Sequence, residues 1–489
     1  MSNQRNEASN DVQRAEEAVK AQSKVLTKQL GLMDLVFAQI LGIVGLSWVG
    51  IAGKLGPSHV VYWLLAVLLF YIPSGAVVIY LSRLMPIEGG LYQWAKFAFN
   101  DFMGFFVAWS LWGGIVVLMS GLGLSTATNL AYALGPRAAW MAANKAFIGA
   151  MAFVIVASLV LLSIRGLGVG KWLHNAGGFI LVVIFGALII LPFIQPGRVG
   201  LRDYHPFALA MPAISLFSLN ILGKMGLGAL GGFEYVAIFA GESRDPGRTI
   251  GRSVAIAAPI IALMFILGTA SVLRFVRPGD IDLIGPIPQV LSLGTRSFGI
   301  AAQTLVPIII LVILASRLAN ASLVFQGCSR MPMVAGWDRL LPGWFTRLHP
   351  RFRTPVNSIL FAAALILGLA LVALAGVGQQ EAFQLLENSA GSLYAFTYLV
   401  MFAIPLVGWK KIAPRPPLAL RIAALSGFLM TLLFVVFAII PIIPVANRFL
   451  FTAKILGGII VASGIGVAIY AMAGFRRSRG RETPDAARS

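Results

Sequence analysis

Twelve long apolar runs, separated by short polar gaps, dominate this sequence. A helix needs about 20 apolar residues to cross the hydrocarbon core of a bilayer, and these runs have about that length. Strands of a membrane barrel would alternate apolar and polar residues, whereas these runs are continuously apolar. The sequence therefore predicts an all-α integral membrane protein with twelve transmembrane helices. The runs cover residues 34–53, 59–81, 103–131, 146–163, 172–194, 212–241, 254–276, 302–327, 356–376, 387–408, 422–446 and 454–474.

The composition supports a membrane protein and argues against other classes. Hydrophobic residues make up 58% of the 489 residues and charged residues only 11%, whereas a soluble domain has about 25% charged residues. The net charge of +20 would suit nucleic acid, but the charges lie in the gaps between apolar runs, so we expect no nucleic-acid partner. The polar first 30 residues show no secretory signal peptide. The single cysteine, Cys328, excludes an internal disulfide.

The distribution of basic residues predicts the orientation. Lys and Arg are in excess in the N-terminal tail, in the gaps after the even-numbered runs and in the C-terminal tail. Such an excess marks the cytoplasmic side, so we expect a multi-pass protein of the cell membrane with both termini in the cytoplasm. The predicted domains are a cytoplasmic tail (1–30), a membrane domain (31–475) and a basic cytoplasmic tail (476–489) that contacts lipid headgroups.

The first and sixth runs differ from the others because glycines are clustered inside them. They read "GLMDLVFAQILGIVGLSWVGIAGKLGP" and "LNILGKMGLGALGGFEYVAIFAGE". Glycine clusters disrupt a helix, and non-helical backbone at membrane depth survives only where protein or a watery cavity surrounds it. In the sixth run we predict two half-helices joined by an unwound turn at Gly228–Gly232, with Glu234 at the start of the second half. The alternative is that these glycines only permit close helix packing.

Two interrupted helices five segments apart indicate an inverted repeat, with the substrate site at the breaks. Repeat one would cover 34–194 and repeat two 212–408, with the last two helices, 422–474, outside. The N-termini of half-helices suit a carboxylate, and unwound carbonyls suit an ammonium group, so the site favours a small zwitterion. The predicted substrate-binding residues are Gly42, Ile43, Val44, Gly45, Leu46 and Ser47 for the carboxylate, and Gly228, Leu230, Gly231, Gly232 and Phe233 for the amine.

Four motifs resemble the amino acid–polyamine–organocation family of transporters, and the resemblance covers nearly the whole chain. They are the glycine-rich first run ending in "AGKLGP", "LMPIEGGLYQWAKFAFNDFMGFFVAW" (84–109), "GGFEYVAIFAGESRDPGRTIGRS" (231–253) and "SRMPMVAGWDRLLPGWFTRLHPRFRTP" (329–355). The resemblance implies a five-plus-five inverted repeat of the leucine-transporter type, alternating access, and amino acids or related amines as substrates. The first run departs from the family's G-S/T-G triplet, because "GIVGLSW" keeps only the glycines and Ser47.

Ionisable residues inside a membrane segment are functional candidates by default, and Glu234, Lys224 and Arg317 lie deep in their runs. By resemblance, Glu234 matches a glutamate of proton coupling or gating; the alternative is a structural hydrogen bond to the unwound turn. Lys224 is either a snorkelling lysine or a cavity lysine that repels cationic substrates. Arg317 is expected to replace a sodium ion by binding carbonyls of the first break, or else only to lock its own helix.

These observations together predict the function. No metal-ligand spacing, phosphate-cradling loop or Ser/His/Asp grouping is present, so we expect no metal, no cofactor and no enzymatic activity. We predict secondary active transport of amino acids by alternating access, as a proton symporter or an exchanger that does not need sodium. The alternatives are an amine or polyamine carrier and a nutrient sensor on the same fold that does not transport.

Overall fold

The computed structural model describes residues 30–85, 90–165, 167–194, 205–211, 213–235, 246–295, 299–337, 341–373, 377–411 and 415–479. The regular secondary structure in these ranges is helical. Ten helices among them are long and apolar enough to cross a membrane, and two shorter apolar helices stand at the first and sixth positions. The predicted fold class, with twelve helices of which the first and sixth are broken, is therefore confirmed.

The helices are numbered α1 to α12 in chain order. α1 has two pieces, Leu32–Ile43 and Trp48–Gly53, and α6 is described as far as its break. The other bounds are α2 Gly56–Leu84, α3 Asp101–Leu134, α4 Lys145–Arg165, α5 Leu167–Ile194, α6 Leu216–Ala229, α7 Pro246–Phe275, α8 Ile300–Trp337, α9 Val356–Ala373, α10 Gln379–Leu406, α11 Leu418–Ala438 and α12 Arg448–Arg479. Short helices at Leu91–Ala98, Trp140–Ala143 and Pro286–Gly294 connect them.

The helix contacts follow the two predicted repeats, α1–α5 and α6–α10. Helices at corresponding positions pack on each other: α2 on α7, α3 on α8 and α4 on α9. The remaining contacts also occur in corresponding pairs. α5 packs on α8, and its counterpart α10 packs on α3. In the same way α1 packs on α7, and its counterpart α6 packs on α2. A twofold relation between two five-helix units produces this pattern. It places α1 and α6 together in the middle of the bundle.

Burial separates central helices from peripheral ones. In the most apolar part of each helix, 61% of the residues of α3 and α10 are buried inside the protein, against 11% for α12. α12 is therefore attached to the outside of the bundle. The apolar composition of α12 does not reveal this outer position, because helices that face lipid and helices that face protein are both apolar.

Several helices are longer than the apolar runs that predicted them, and α10 and α8 are two examples. α10 begins at Gln379, eight residues before the run, because its first turns carry Gln379, Gln380 and Glu381. α8 continues to Trp337 through the mixed sequence "CSRMPMVAGW". Hydropathy detects the part of a helix that lies in hydrocarbon, and it misses polar turns that extend beyond it.

Candidate functional site

The break in α1 lies where the sequence predicts it. The helix stops at Ile43 and resumes at Trp48, and a tight turn in which the Gly45 N–H donates to the Ile43 carbonyl at 2.9 Å joins the two pieces. Gly42 and Ile43, which were predicted to bind a carboxylate through their backbone, still belong to the helix. Their N–H groups are therefore engaged inside it.

Only part of the predicted set of backbone donors remains available at this break. The Val44 N–H donates to the Ile40 carbonyl at 3.0 Å, and the Gly45 N–H is used in the turn. The N–H groups of Leu46 and Ser47 have no backbone acceptor among the described residues. Both residues are buried, so these two N–H groups, which have no backbone acceptor in the described part of the chain, are the candidates for binding a ligand.

The break in α6 lies further along the chain than predicted. Lys224–Ala229 form a π-helical turn and Leu230 continues the helix, so Gly228 and Leu230 are not unwound, contrary to the prediction. The helix ends at Gly231, and Gly232 has a φ of +135°. Residues other than glycine rarely adopt this conformation, which explains why the chain breaks here and not at the earlier glycines.

The two breaks lie against each other. A Cβ atom on Gly232 would come within 2.7 Å of Cγ1 of Ile43, and one on Gly228 within 2.3 Å of the Trp48 indole. The glycines of α6 thus admit the side chains of α1 at van der Waals distance. Both interpretations of the glycines therefore hold: Gly232 belongs to the break, and Gly228 permits close packing.

Glu234, immediately after the break, is fully buried and is held by α10. Its carboxylate accepts hydrogen bonds from the hydroxyl groups of Tyr394 and Tyr398, which lie one helical turn apart. The Gly232 N–H in turn donates to the Tyr398 hydroxyl at 2.7 Å. The carboxylate also accepts from the backbone N–H groups of Gly232 and Glu234, as expected for the predicted alternative of a structural hydrogen bond to the unwound turn.

The sequence analysis missed these two tyrosines, although a signal for them exists. "YAFTY" places Tyr394 and Tyr398 four residues apart, on one face of an apolar helix. A buried tyrosine hydroxyl usually finds a hydrogen-bond partner. Two of them on one face therefore indicate a shared polar partner on the facing helix.

Phe233 takes part in packing through its side chain. Its ring stacks on Tyr71 of α2, with 4.6 Å between the ring centroids and 16° between the planes, and it is buried. Only the backbone of this predicted substrate-binding residue is available for a ligand.

Lys224 lies between three helices, one turn or more before the break. Its ammonium group donates to Asn388 of α10 and sits 5.6 Å from the ring of Phe434 in α11. Asn388 in turn donates to the Ala438 carbonyl at the end of α11, at 2.7 Å. Lys224 is 3% exposed, so it is not a snorkelling lysine. These contacts describe a lysine that joins α6 to α10 and α11.

Arg317 does not bind the first break, contrary to the prediction. Its guanidinium group donates to the Ser125 hydroxyl in α3 and to the Ile284 carbonyl at 3.5 Å, before the short helix Pro286–Gly294. Asn320, one turn further along α8, donates to the Leu41 carbonyl in α1. The asparagine, and not the arginine, thus joins α8 to the first broken helix.

Glu387 links the two deep bases electrostatically. It precedes Asn388 on α10, and its charge attracts both Lys224 and Arg317. Lys224 of α6, Arg317 of α8 and Glu387 of α10 thus interact electrostatically. Among the described residues, no group of three or more His, Cys, Asp and Glu side chains has the arrangement of a metal site.

A family model described as "Amino acid permease" matches residues 29–475, which is nearly the whole chain. The chain belongs to the amino acid permease family. The match includes both breaks, Glu234 and the tyrosines of α10. The protein is therefore a multi-pass membrane transporter of a small-molecule substrate.

Characterised and uncharacterised permeases resemble it over most of their length. An uncharacterized transporter of Legionella pneumophila is 26% identical over 89% of this chain and 95% of its own length. A probable agmatine/putrescine antiporter of Lactococcus lactis is 22% identical over 86% of this chain and 87% of its own. A branched-chain amino acid permease of Bacillus subtilis is 23% identical over 83% and 85%.

Proposed function

We propose that this permease transports amino acids across the cell membrane by alternating access, with both termini in the cytoplasm. The observation that carries the proposal is the junction of the two breaks beside the buried Glu234. Broken helices that meet at membrane depth are characteristic of a transporter's substrate site. The cytoplasmic position of the termini rests on the excess of Lys and Arg in the corresponding gaps.

The substrate's carboxylate would bind the unpaired N–H groups of Leu46 and Ser47. These donors lie at the start of the second piece of α1, where the backbone carries partial positive charge. The substrate's ammonium group would bind carbonyls of Gly231–Phe233 at the α6 break. The Ile43 side chain packs on Gly232 at this break, so we expect it to move when a substrate binds there.

Glu234 is proposed as the proton-coupling residue. An ionised carboxylate only accepts hydrogen bonds, and both tyrosine hydroxyls donate to this one. When a proton binds, one carboxyl oxygen becomes a donor, so one tyrosine contact has to rearrange. Protonation would thus loosen the α6 break from α10, which connects proton movement to the conformation of the site.

Transport is proposed to be independent of sodium. The sequence argument relied on Arg317 at the first break, and that contact is replaced by Asn320 on the Leu41 carbonyl. Ser316 of α8 has a partner as well, because its hydroxyl donates to the Gly177 carbonyl of α5 at 3.1 Å. The positive charge of Arg317 in the same helix adds repulsion against a cation.

An amine or polyamine carrier is the second candidate, and the Lactococcus antiporter favours it. The two deep bases Lys224 and Arg317 argue against it, because positive charge inside the bundle repels a substrate with two or more positive charges. A sensor on this fold would bind its ligand without accumulating it. An amino acid transporter, an amine carrier and a sensor can be distinguished by experiments on the same purified protein.

Uptake into proteoliposomes tests the proposal. A thermal-shift screen first identifies the ligand among the amino acids, agmatine and putrescine, since a ligand stabilises by RT ln(1 + [L]/Kd). Uptake of that ligand is then measured with an inward proton gradient, and with the ligand preloaded inside. Accumulation of an amino acid supports the transporter; stabilisation by an amino acid without flux would support the sensor, and stabilisation only by amines the amine carrier.

A further inference from the structure

The segment that leads into α6 is apolar and exposed, although it is not part of a helix. Residues 206–217 read "PFALAMPAISLF", in which Ser215 is the single polar residue, and the charged residues Arg202 and Asp203 precede this stretch. The structure describes 205–211 and 213–215 without helix or strand, and α6 begins at Leu216. We call residues 206–215 the apolar loop. It contains no residue of either break, and the proposed transport gives it no role.

Large apolar side chains of the apolar loop point away from the protein. Met211 is 93% exposed and Ile214 82%, and Phe207 and Leu209 are also more than half exposed. The stretch "FALAM" alternates large residues with alanine, a pattern that puts the large side chains on one side of an extended chain. A contiguous apolar surface of this kind marks contact with a membrane or with another protein.

Two hydrogen bonds fix the position of the apolar loop. The carbonyl of Ala213 accepts from the Tyr62 hydroxyl of α2 at 2.9 Å and from the Ser218 hydroxyl of α6 at 2.8 Å. Tyr62 lies about 9 Å along the helix from the start of α2 at Gly56, at a rise of 1.5 Å per residue. Tyrosine is enriched where the membrane meets water. The loop is therefore held at the membrane surface at which α2 and α6 begin.

The apolar loop joins two surfaces that face lipid. On α2 the exposed side chains Leu64, Leu68 and Ile72 follow each other at intervals of four residues, so they form one stripe along the helix. On α6 the first two residues, Leu216 and Phe217, are exposed directly after the loop. Exposed apolar side chains of transmembrane helices meet hydrocarbon. The same medium therefore borders the loop on both sides.

The backbone of the apolar loop decides how deep it lies. Its Ala208 N–H donates to the His205 carbonyl at 3.0 Å, whereas the N–H groups of Leu209, Ala210 and Met211 have no backbone acceptor in the part of the chain that the structure describes. Unpaired backbone groups are not tolerated in hydrocarbon. At the level of the lipid headgroups, water and headgroup oxygens accept from such N–H groups, while apolar side chains reach the acyl chains below. The loop thus fits the interface and not the hydrocarbon core.

We propose that the apolar loop is inserted into the lipid interface, with Leu209, Met211 and Ile214 in contact with acyl chains, and that it anchors the start of α6 to the membrane surface. The partner is the lipid of one leaflet, whatever its headgroup, because residues 206–217 contain no charged side chain. The anchor fixes the end of α6 that lies opposite its break.

Electron paramagnetic resonance of the full-length protein in liposomes, with a nitroxide label on the loop, tests the proposal. Met211→Cys is labelled in a Cys328→Ala background, since Cys328 is the only cysteine of the chain. Because Cys328 is buried, the label can also be attached with Cys328 left in place. Oxygen concentrates in hydrocarbon and a nickel chelate in water, so their effects on the saturation of the label tell which medium surrounds it. We expect oxygen to have the larger effect at Met211.

Gly279→Cys, labelled in the same way, is the control for a residue in water. Gly279 is exposed in the connection between α7 and α8, and a Cβ atom there meets no atom within 4 Å. Its carbonyl accepts from Lys54, just before α2, at 3.1 Å, so it lies on the same side of the membrane as the apolar loop. The nickel chelate should have the larger effect at Gly279. The same order at Met211 would place the loop in water, and access of neither reagent would place it against a second copy or another protein; both results overturn the proposal.

The anchoring itself is tested by adding charge to the loop. Leu209→Asp together with Ile214→Asp should move the label at Met211 into water, because carboxylates do not stay among acyl chains. The effect of the nickel chelate should then exceed that of oxygen, as at Gly279. The label at Gly279 should be unchanged in this variant, which shows that the fold is intact. If oxygen keeps the larger effect at Met211, lipid contact of these side chains does not hold the loop, and the anchor is refuted.

Discussion

The indole of Trp48 in α1 lies directly on the backbone of Gly228 in α6. A single methyl group at Gly228 would come within 2.3 Å of the ring. The distance between the two broken helices is thus set by the absence of one side chain. The contact with the Trp48 indole also explains why a glycine occurs at a position that remains helical.

Replacing Gly228 by alanine should therefore destabilise the protein, although alanine is the better helix former. Overpacking of this kind costs about 1–3 kcal/mol, so the melting temperature and the initial uptake rate should both fall. Gly368→Ala in α9 is the control, because a Cβ atom there meets no neighbour. That variant should be neutral or slightly more stable. Equal melting temperatures of the two variants would contradict the contact.

Glu234→Gln should abolish the dependence of uptake on the proton gradient while exchange of internal for external substrate persists. Glutamine keeps the shape of the side chain but cannot bind a proton in the relevant range. The measurement is uptake into proteoliposomes over a series of external pH values at constant membrane potential. If the variant retains the pH dependence of the wild type, Glu234 does not couple protons.

Tyr398→Phe should cost more stability than Tyr394→Phe. Each substitution removes one donor to Glu234, but only Tyr398 also accepts the Gly232 N–H. Losing this second hydrogen bond costs about 0.5–1.5 kcal/mol beyond the loss of the donor. Chemical denaturation of both purified variants measures the difference. The reverse order, with Tyr394→Phe the less stable, would argue against the role of Tyr398 at the break.

The effects of Lys224→Met and Asn388→Leu on the free energy of unfolding should not be additive. Either single change leaves a polar partner unsatisfied between α6 and α10, whereas the double change removes both partners. Hydrogen bonds to charged groups contribute about 1.5–3 kcal/mol, so the double variant should lose less stability than the sum of the single variants. Additive losses would contradict the contact. Faster uptake of arginine by Lys224→Met would instead place the lysine's charge in the substrate cavity.

Uptake should be the same in sodium, potassium and choline buffers at equal proton gradients. The carbonyl of Leu41 is already bound by Asn320, and the Arg317 charge lies on the same helix. Stimulation by an inward sodium gradient would refute this prediction. Asn320→Ala, which frees that carbonyl, is the informative variant for comparison.

The sequence predicted the helices and the two breaks because both leave strong local patterns. Apolar runs give the transmembrane helices directly, and glycine clusters indicate where the helix is interrupted. The position of the second break was wrong by a few residues. Several glycines occur in a row, and only the three-dimensional contacts show that Gly228 serves packing while Gly232 takes the positive φ.

The partners of the charged residues were not predictable in the same way. Arg317 and Asn320 lie one turn apart on α8, and which of them reaches α1 depends on side-chain length and on the rotation of the helix. The contact of Glu234 with Tyr394 and Tyr398 joins residues about 160 positions apart. Hydropathy and spacing within one helix contain no information on such distant pairs.

The hydrogen bonds near the two breaks join α6 to one set of helices and α1 to another. α6 is fastened to α10 through Gly232, Glu234 and Lys224. α1 is fastened elsewhere, through Gln39 to Ser253 of α7 and through Leu41 to α8. Among the described residues, α1 and α6 share no hydrogen bond. Their contact consists of α1 side chains that pack on glycines of α6. Within the described part of the chain, a displacement of α1 past α6 therefore breaks no hydrogen bond between these two helices, and we expect sliding at this contact.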